Sequence, residues 1–456
     1  MKKIFLIGLI VLFAAIPAIA KVNLPKAKEF RLDNGLTVKV VERHTLPLFS
    51  LQMSFKAGSI CDPQDKEGLA FLCNEMLMRG TKNRSARHIV EAIAFVGGTL
   101  SNYCDREETG FAGEFLTDNG ERSFEVMADL LLNSTFSQEE LEKTANLVIA
   151  GLKGELERPG AVATNNIYSA ILGDNPFAHQ VNGSVESIGS ITRDDIVGFF
   201  SDYYTPDNCL LVICGDIDKK QAELWVKKYF RGWNGKTQKR PAVAEFEATS
   251  GTDILILDKV DATQTQIRIG NTGLSLKHPD YVPFEAARTI LAGSFTSRLV
   301  NEIRVNRGLS YGVSCRSPRY IPGGIVYIST FTKNESVGEV LDIILSETKR
   351  MTTEAVPDSE LVGAQNYRSG LYPLNFETND DIAEVFSNMW LYDLDKSHYE
   401  DFQEKVKDVS GADLMKAAGK YFPLENYRIV LVGKAEEIKD QAAKYGTVTV
   451  QPLATE

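Results

Sequence analysis

The chain is poor in the segments that mark several common protein classes. It has no low-complexity tract, and of its 456 residues 43% are hydrophobic and 24% are charged, which excludes long disorder. No segment after the first twenty residues is long and apolar enough to cross a bilayer. Six cysteines are too few for a disulfide scaffold, and Cys209 and Cys214 face opposite sides of one predicted strand. The sequence predicts a globular protein with buried, free thiols.

Positive charge and histidine are also scarce. The formal net charge is -11, and an acidic surface of this size repels nucleic acid and anionic lipid headgroups. We therefore expect no nucleic-acid partner. Two histidines share one metal on a helix when they are three or four residues apart, and no two here have that spacing. The five are His44, His88, His179, His278 and His398.

The first twenty residues, MKKIFLIGLIVLFAAIPAIA, have the layout of a secretory signal peptide. A Lys-Lys start precedes an apolar run, and small residues end at Ala20. The alternative is an uncleaved anchor, but the apolar run is short for a membrane span. The sequence predicts residues 1–20 as a cleaved leader, export to the periplasm of a Gram-negative bacterium, and no stable membrane insertion afterwards. Loss of Lys2 and Lys3 with the leader leaves a charge of -13.

Two segments of the chain share one plan, which predicts two similar domains. In residues 191–218 and again in residues 408–438, a polar residue opens an amphipathic helix, a Tyr and a Pro close it, and an apolar strand runs into a Gly. We place the domains at residues 21–231 and 253–456, joined by a polar linker at 232–252. The equivalent positions are Tyr204, Pro206, Asn208 and Gly215 in the first copy and Tyr421, Pro423, Asn426 and Gly433 in the second.

Each half reads as strands, then helices, then strands. Residues 36–44 and 48–58 look like strands, and residues 99–116 look like two strands joined by a charged turn. The best-marked helix is SQEELEKTANLVIAGLKGELER, in which Ser137 and Glu140 match a capping box. An apolar stripe follows the helical period along it: Leu141, Ala145, Val148, Leu152 and Leu156.

Six motifs in a fixed order resemble the pitrilysin and insulinase family of zinc metallopeptidases, the inverzincins. The likeness is greatest to the shorter, processing-peptidase-like members, and it covers nearly all of the mature chain. It implies an α+β fold of two homologous domains, each an antiparallel-rich sheet covered by helices. The motifs are FRLDNGLTVKVVE, AGS with GLAFLCNEMLMRGT, GGTLSNYCDREETGF, NPFAHQVNGSVESI, YYTPDNCLLVICGDI and FTSRLVNEIRVNRGLSYGV.

The zinc motif of that family is degenerate here. In the family the helix at residues 68–81 carries H-x-x-E-H, whose two His bind zinc and whose Glu is the general base. These positions hold Phe71, Asn74 and Glu75. The third ligand, a Glu on a later helix, falls where this chain has Ala150 and Gly151. The resemblance therefore implies that this chain binds no cofactor, and that zinc is expected in a partner subunit.

A different pair of residues matches the family in the second half. There an Arg and a Tyr close over the zinc site of the first domain and bind the scissile carbonyl. Arg304 and Tyr311 match both within FTSRLVNEIRVNRGLSYGV. We expect a helix from near Ser294 with Arg304 near its end, Gly308 as its left-handed cap, and Tyr311 at the start of a strand. The structural alternative is a surface cation and a half-buried strand aromatic.

These features favour the non-zinc subunit of an exported heterodimeric zinc peptidase. It would lend Arg304 and Tyr311 in trans to a paralogue with an intact H-x-x-E-H, and it would act on a peptide substrate. One alternative is a catalytically inert structural or peptide-binding paralogue, and another is an independent peptidase with an unusual site. GGTLSNYCDREETGF corresponds to the family's substrate-side edge strand, where a peptide can add as an extra strand.

Overall fold

Each half of the chain forms one six-stranded mixed sheet in the computed structural model, which describes residues 21–422 and 425–453. The predicted leader and Pro423 lie outside the described residues. Among the described residues, no helix combines the length and apolarity needed to span a membrane. The strands of the first half are β1 Lys28–Arg31, β2 Thr37–Glu42, β3 Leu48–Phe55, β4 Thr99–Cys104, β5 Thr109–Leu116 and β6 Cys209–Gly215. Those of the second half are β7 Thr252–Asp258, β8 Gln264–Gly273, β9 Val313–Arg316, β10 Gly324–Lys333, β11 Tyr427–Gly433 and β12 Thr447–Pro452.

The two sheets have the same topology in five of their six strands. The order is β1-β2-β6-β3-β5-β4 in the first and β12-β7-β11-β8-β10-β9 in the second. Each has a parallel pair, β2 with β6 and β7 with β11, and antiparallel pairs out to β4 or β9. The outermost strands differ, since β1 is antiparallel to its neighbour and β12 is parallel. The predicted α+β fold of two similar domains is confirmed.

Helices cover both sheets. In the first half they are α1 Leu69–Leu77, α2 Ala86–Phe95, α3 Gly120–Asn133, α4 Gln138–Leu156, α5 Pro159–Leu172, α6 Val185–Ser190, α7 Arg193–Tyr203 and α8 Lys219–Phe230. In the second half they are α9 Tyr281–Arg288, α10 Val337–Thr353, α11 Asp358–Leu371, α12 Asn379–Leu391, α13 Lys396–Glu400, α14 Phe402–Asp408, α15 Gly411–Tyr421 and α16 Ala435–Ala442. Residues 232–251 form neither helix nor strand.

The halves exchange one helix each. Helix α5 of the first half packs on β8 and β11 of the second sheet, and α12 of the second half packs on β3 and β6 of the first. Successive side chains of β6 point to opposite faces of the sheet, and both faces are apolar, so each face needs a covering layer. Its Leu211 belongs to the main core of the first half, whereas Leu210 and Val212 pack against Phe386 of α12. The two halves are therefore interlocked.

Two local predictions differ from the structure. The segment that carries Arg304 is a π-helix, Val300–Asn306, separated from the π-helical residues Thr289–Gly293 by a bend that holds Ser294. The bend arises because Ala292 leaves helical geometry, with φ of -158° and ψ of 28°. The following strand starts at Val313 rather than at Tyr311, since the hydroxyl of Ser310 bonds the backbone of Gly312 in a tight turn.

The capping box predicted for α4 is half formed. The Ser137 hydroxyl accepts from the backbone N–H of Glu140 at 3.3 Å, as expected. The carboxylate of Glu140 does not return to the cap, because it pairs with Lys143 at 3.0 Å. Capping boxes with both bonds start α6, α7, α12 and α15, and those of α7 and α15 are on Thr192 with Asp195 and on Ser410 with Asp413. Helices α7 and α15, which the internal repeat predicts to be equivalent, thus begin in the same way.

Candidate functional site

A buried carboxylate, that of Asp62, caps the first turn of helix α1. The two oxygens of Asp62 accept from the backbone N–H groups of Gly68 and Ala70, each at 2.8 Å, and so satisfy donors that the first turn leaves free. Burial raises the pKa of Asp62, although His179 lies 3.6 Å from it. Gly68 has φ of +92°, and a Cβ there would come within 2.7 Å of the Ile188 side chain. The start of α1 is therefore set by Gly68 and Asp62 together.

The residues at the positions of the zinc motif share one face of α1, as their spacing predicts. Asn74 is 1% exposed, and all of its polar atoms are engaged. Its amide nitrogen donates to the carbonyl oxygens of Tyr103 at 2.6 Å and Gly110 at 3.3 Å, and its oxygen accepts from the Tyr204 hydroxyl at 3.1 Å. Asn74 therefore connects α1 to β4, β5 and the end of α7. It has no free atom for a substrate or a metal.

Glu75 is held by two neighbours. One oxygen accepts from Arg79, one turn along α1, at 3.0 Å, and the other accepts from the amide of Asn102 on β4 at 2.8 Å. Phe71 stands half-buried beside them, and a phenyl ring offers no atom to a metal. The three positions thus hold an apolar ring, a saturated amide and a paired carboxylate.

At the position of the third zinc ligand, Gly151 has no side chain. Gly151 lies on an exposed face of α4, which packs beside α1, and a Cβ there would meet nothing within 4 Å. Ala150 is exposed as well, and Glu155 pairs with Arg158 at 3.2 Å. The residues present do not fit a zinc ion. Throughout residues 21–422 and 425–453, no group of three or more His, Cys, Asp or Glu is arranged to hold a metal.

Arg304 lies in the π-helix Val300–Asn306, and Tyr311 lies in the turn that precedes β9. Both are exposed, and Tyr311 keeps 81% of its surface in contact with solvent. The Arg304 guanidinium lies over the Phe295 ring at 4.8 Å, and within the described part of the chain neither side chain has a hydrogen bond or an ion pair. Between them Gly308, with φ of +63°, ends the π-helix in the left-handed region, as predicted. No such bond joins either residue to Phe71, Asn74 or Glu75.

A second polar group lies where the sequence indicates only a charged turn. Between β4 and β5, Glu107 is 2% exposed, and its carboxylate faces the backbone N–H of Ile321 from the second half at 3.5 Å. Burial raises the pKa of Glu107 to about 7 and that of Glu108 to about 8. The only sequence signal was two adjacent acids. That signal reports charge and carries no information on burial.

Two family models together match most of the chain. Residues 38–184 match the family model described as "Insulinase (Peptidase family M16)", and residues 190–367 match the model described as "Peptidase M16 inactive domain". The chain belongs to the peptidase M16 family. This confirms the predicted resemblance to pitrilysin- and insulinase-type peptidases. The M16 matches run across the helix with Phe71 and the segment with Arg304.

Curated relatives of this M16 chain are distant but match it over most of its length. An uncharacterized zinc protease of Bacillus subtilis is 23% identical and covers 89% of this chain and 98% of its own. A probable mitochondrial-processing peptidase subunit beta of Arabidopsis thaliana is 21% identical, with 91% and 80% covered. Subunit 1 of the cytochrome b-c1 complex of Bos taurus is 20% identical, with 92% and 88% covered.

The same M16 fold is found in solved structures. A crystal structure described as a peptidase M16 inactive domain from Pseudomonas fluorescens superimposes with a TM-score of 0.83 at 23% identity. The match covers 94% of this chain and all of that one. At this identity the likeness establishes the two-domain fold alone.

Proposed function

We propose that this chain is the non-zinc-binding subunit of an exported, heterodimeric zinc metallopeptidase. In this proposal the partner is an M16 paralogue with an intact H-x-x-E-H, which holds the zinc and supplies the general base. This chain supplies Arg304 and Tyr311 in trans, to a peptide bound at the partner's site. The leader-like residues 1–20 support export, with the periplasm of a Gram-negative bacterium as the destination.

The contrast between the two sets of site residues carries the proposal. On α1, Asn74 and Glu75 are committed to contacts within the chain, and Phe71 has no polar atom. Arg304 and Tyr311 are in the opposite state, since both are exposed and neither has a polar partner among the described residues. Water satisfies both side chains in the isolated chain, so what sets them apart from other surface residues is their place in the motif FTSRLVNEIRVNRGLSYGV. An exposed, uncommitted pair at the family's positions supports a role towards another molecule.

The chemistry of the pair suits the proposed role. Peptide hydrolysis places negative charge on the scissile carbonyl oxygen, and donors aimed at that oxygen lower the barrier. The Arg304 guanidinium lies 4.8 Å from the centre of the Phe295 ring, and its N–H groups make no hydrogen bond within the described residues, so they are free to donate. The Tyr311 hydroxyl is a second donor. Neither residue needs to change protonation, because hydrogen bonding alone stabilises the developing charge.

A structural or peptide-binding subunit without catalytic function is the second candidate. The Asn74 network and the exchange of α5 and α12 favour a rigid body, which suits a scaffold. One distant relative is named as a subunit of the cytochrome b-c1 complex, and another as a subunit of a processing peptidase. Exposed Arg304 and Tyr311 speak against a scaffold, which has no use for donors directed at a carbonyl.

The decisive experiment measures hydrolysis of a quenched, unstructured peptide. The samples are this chain alone, an exported paralogue with H-x-x-E-H alone, and their equimolar mixture. We expect chelator-sensitive turnover in the mixture only. Arg304→Ala and Tyr311→Phe should each lower the turnover of the mixture by about 10²-fold, the effect of removing one oxyanion donor. Arg307→Ala is the matched control, since Arg307 is an exposed neighbour that pairs with Glu339 at 3.1 Å.

The outcomes separate the candidates. Activity of this chain alone would contradict the proposal and reopen the assignment of Phe71, Asn74 and Glu75. A stable complex whose turnover is unchanged by Arg304→Ala and Tyr311→Phe would favour the scaffold.

A further inference from the structure

A polar cavity of about 610 Å³ lies where the two halves meet, and its lining includes none of the site residues considered above. One wall is α5 of the first half, which contributes Thr164 and Tyr168. The floor is the β9–β10 ladder at the edge of the second sheet, and Glu285 and Arg288 of α9 stand at one end. The cavity therefore exists only because α5 crosses to the second sheet.

The floor presents side chains in register. Arg316 and Tyr327 are direct cross-strand partners, and Ser314 and Ser329 are the next pair on the same face. Side chains in such pairs lie about 5 Å apart. The row continues onto β8, where Arg268 is the cross-strand partner of Ser329. Two arginines and three hydroxyls are thus brought to one patch by the pleat of the sheet.

Several of these polar groups lack a protein partner. Tyr327 is only 8% exposed, yet its hydroxyl makes no hydrogen bond within residues 21–422 and 425–453. The half-buried Ser314 and Ser329 also make no side-chain hydrogen bond within the described residues. The hydroxyls of Tyr327, Ser314 and Ser329 line the cavity without a protein partner, so they are free to bond a ligand. The Ser317 hydroxyl is buried and unpaired, a state that costs about 1–3 kcal/mol.

Positive charge exceeds negative charge around the cavity, although the chain as a whole is acidic. Glu285 is the one carboxylate of the lining, and it is already held by Arg288 at 2.7 Å and by Arg368 at 2.8 Å. Those two arginines hold the pKa of Glu285 below its usual range against the effect of burial. Arg316 has no carboxylate within ion-pair distance among the described residues. The lining thus holds two arginines, Arg288 and Arg316, and one carboxylate that is already paired.

Arg268 adds a buried cation beside the floor. It is 6% exposed, and its guanidinium donates only to neutral acceptors in the described chain: the carbonyl oxygens of Gly160, Ile267 and Thr330 and the hydroxyl of Thr164. Burial lowers the pKa of Arg268, because its charge has no counter-ion. Thr164 also lines the cavity, so the uncompensated charge lies one side chain from the cavity itself.

We infer that this cavity binds a small oxyanion, a phosphate or carboxylate group carried by a polar molecule. Arg316 and the Tyr327 hydroxyl are its direct donors, and Arg268 contributes charge through Thr164. Oxyanions accept several hydrogen bonds at once, which matches a floor of cation and hydroxyls without partners. The site lies on the second sheet and does not depend on a peptidase partner.

Calorimetric titration of the purified chain with inorganic phosphate, acetate and glycerol tests the inference. We expect one site for an oxyanion and none for neutral glycerol. Arg316→Gln should weaken binding by at least about tenfold, as loss of a charge-assisted bond does. Tyr327→Phe should weaken it severalfold without a change of charge. Arg231→Gln, an exposed arginine past the end of α8, is the charge-matched control and should bind like the unmodified chain.

Thermal melts should first show that each variant folds. Binding of phosphate alone would assign a phosphate-bearing ligand, and binding of acetate alone a carboxylate-bearing one. Both results support the site if the variants rank as expected. Equal binding by all variants would mean non-specific association with the surface and would overturn the inference. So would the absence of binding at about 10 mM anion, where a millimolar site is largely filled.

Discussion

The hydroxyl of Tyr204 donates a hydrogen bond of 3.1 Å to the side-chain oxygen of Asn74. Asn74 stands where catalytic members of the family are expected to carry the general base. Tyr204 is 2% exposed, and burial raises its pKa well above the ordinary value, so it remains a neutral donor. Tyr204 is also the residue that the internal repeat pairs with Tyr421, whose hydroxyl donates to Asp280 at 2.9 Å. The two equivalent tyrosines thus donate to different acceptors in the two halves.

Replacement of Asn74 by Asp should destabilise the fold. The change keeps the shape but removes both N–H donors, and it leaves the carbonyl oxygens of Tyr103 and Gly110 facing a carboxylate. We expect the free energy of unfolding to fall by about 1–3 kcal/mol, the range for a buried group left unpaired. Chemical denaturation measures it.

Asn234→Asp is the control for this substitution. Asn234 also donates to a backbone carbonyl, that of Gly232 at 2.9 Å, but it is exposed. Its replacement should change stability by less than about 0.5 kcal/mol. If Asn74→Asp is equally mild, the network around Asn74 contributes little.

Arg304→Ala and Tyr311→Phe should leave the fold unaffected. Both side chains are exposed, and surface substitutions usually change stability by less than about 0.5 kcal/mol. Melting temperatures of the isolated chain test this expectation. A large drop for either variant would indicate a structural role and would weaken any interpretation of lost activity in the complex.

Truncation of Phe386 should destabilise both halves together. This residue of α12 is 2% exposed and packs on Leu210 and Val212 of the first sheet. Phe386→Ala should cost about 3–5 kcal/mol, as other large-to-small changes in cores do. Because the halves are interlocked, calorimetry should show one transition moved to lower temperature. Leu371→Ala, at a position 44% exposed in the same half, should have little effect. Two separate transitions, with only the second half affected, would contradict the interlocking.

Stability should fall as the pH rises from about 5 to about 8. The folded-state pKa values of Glu107 and Glu108, about 7 and about 8, exceed the ordinary value of 4.5. In this window the folded carboxyls keep protons that the unfolded chain has released, so the folded state is penalised progressively. Each group contributes at most about 1.4 kcal/mol per pH unit.

The slope of unfolding free energy against pH measures this effect. Glu107→Gln and Glu108→Gln should each flatten the slope, since a neutral amide has nothing to ionise. Glu142→Gln, on an exposed turn of α4, serves as the reference. A slope that is the same in all four proteins would contradict the buried state of these two carboxyls.

Periodicity and spacing predicted the elements well where the cause is local. The run Cys209–Gly215 reads as a strand with two apolar faces, and it is buried throughout. Phe71, Asn74 and Glu75 share a helix face because residues three and four apart always do. The bend at Ser294 was not predicted, since the departure of Ala292 from helical geometry has no signal in the residue types.

Features that depend on distant segments could not be predicted. Leu210 and Val212 are covered by Phe386, which lies more than 170 residues away in the sequence. No pattern in either segment predicts this contact. The same holds for Glu107, whose burial depends on Ile321 of the second half. Asn74 looks like a lost catalytic residue in the sequence, and only its three partners show that it supports the fold.

Because α12 covers β6, the first half cannot complete its core during synthesis until most of the second half has been made. When β6 has been synthesised, the face with Leu210 and Val212 has no cover until residue 391 has followed. Until then, the first half has an apolar sheet face exposed to solvent. An uncovered apolar face of this kind is prone to association with other chains until α12 has been made.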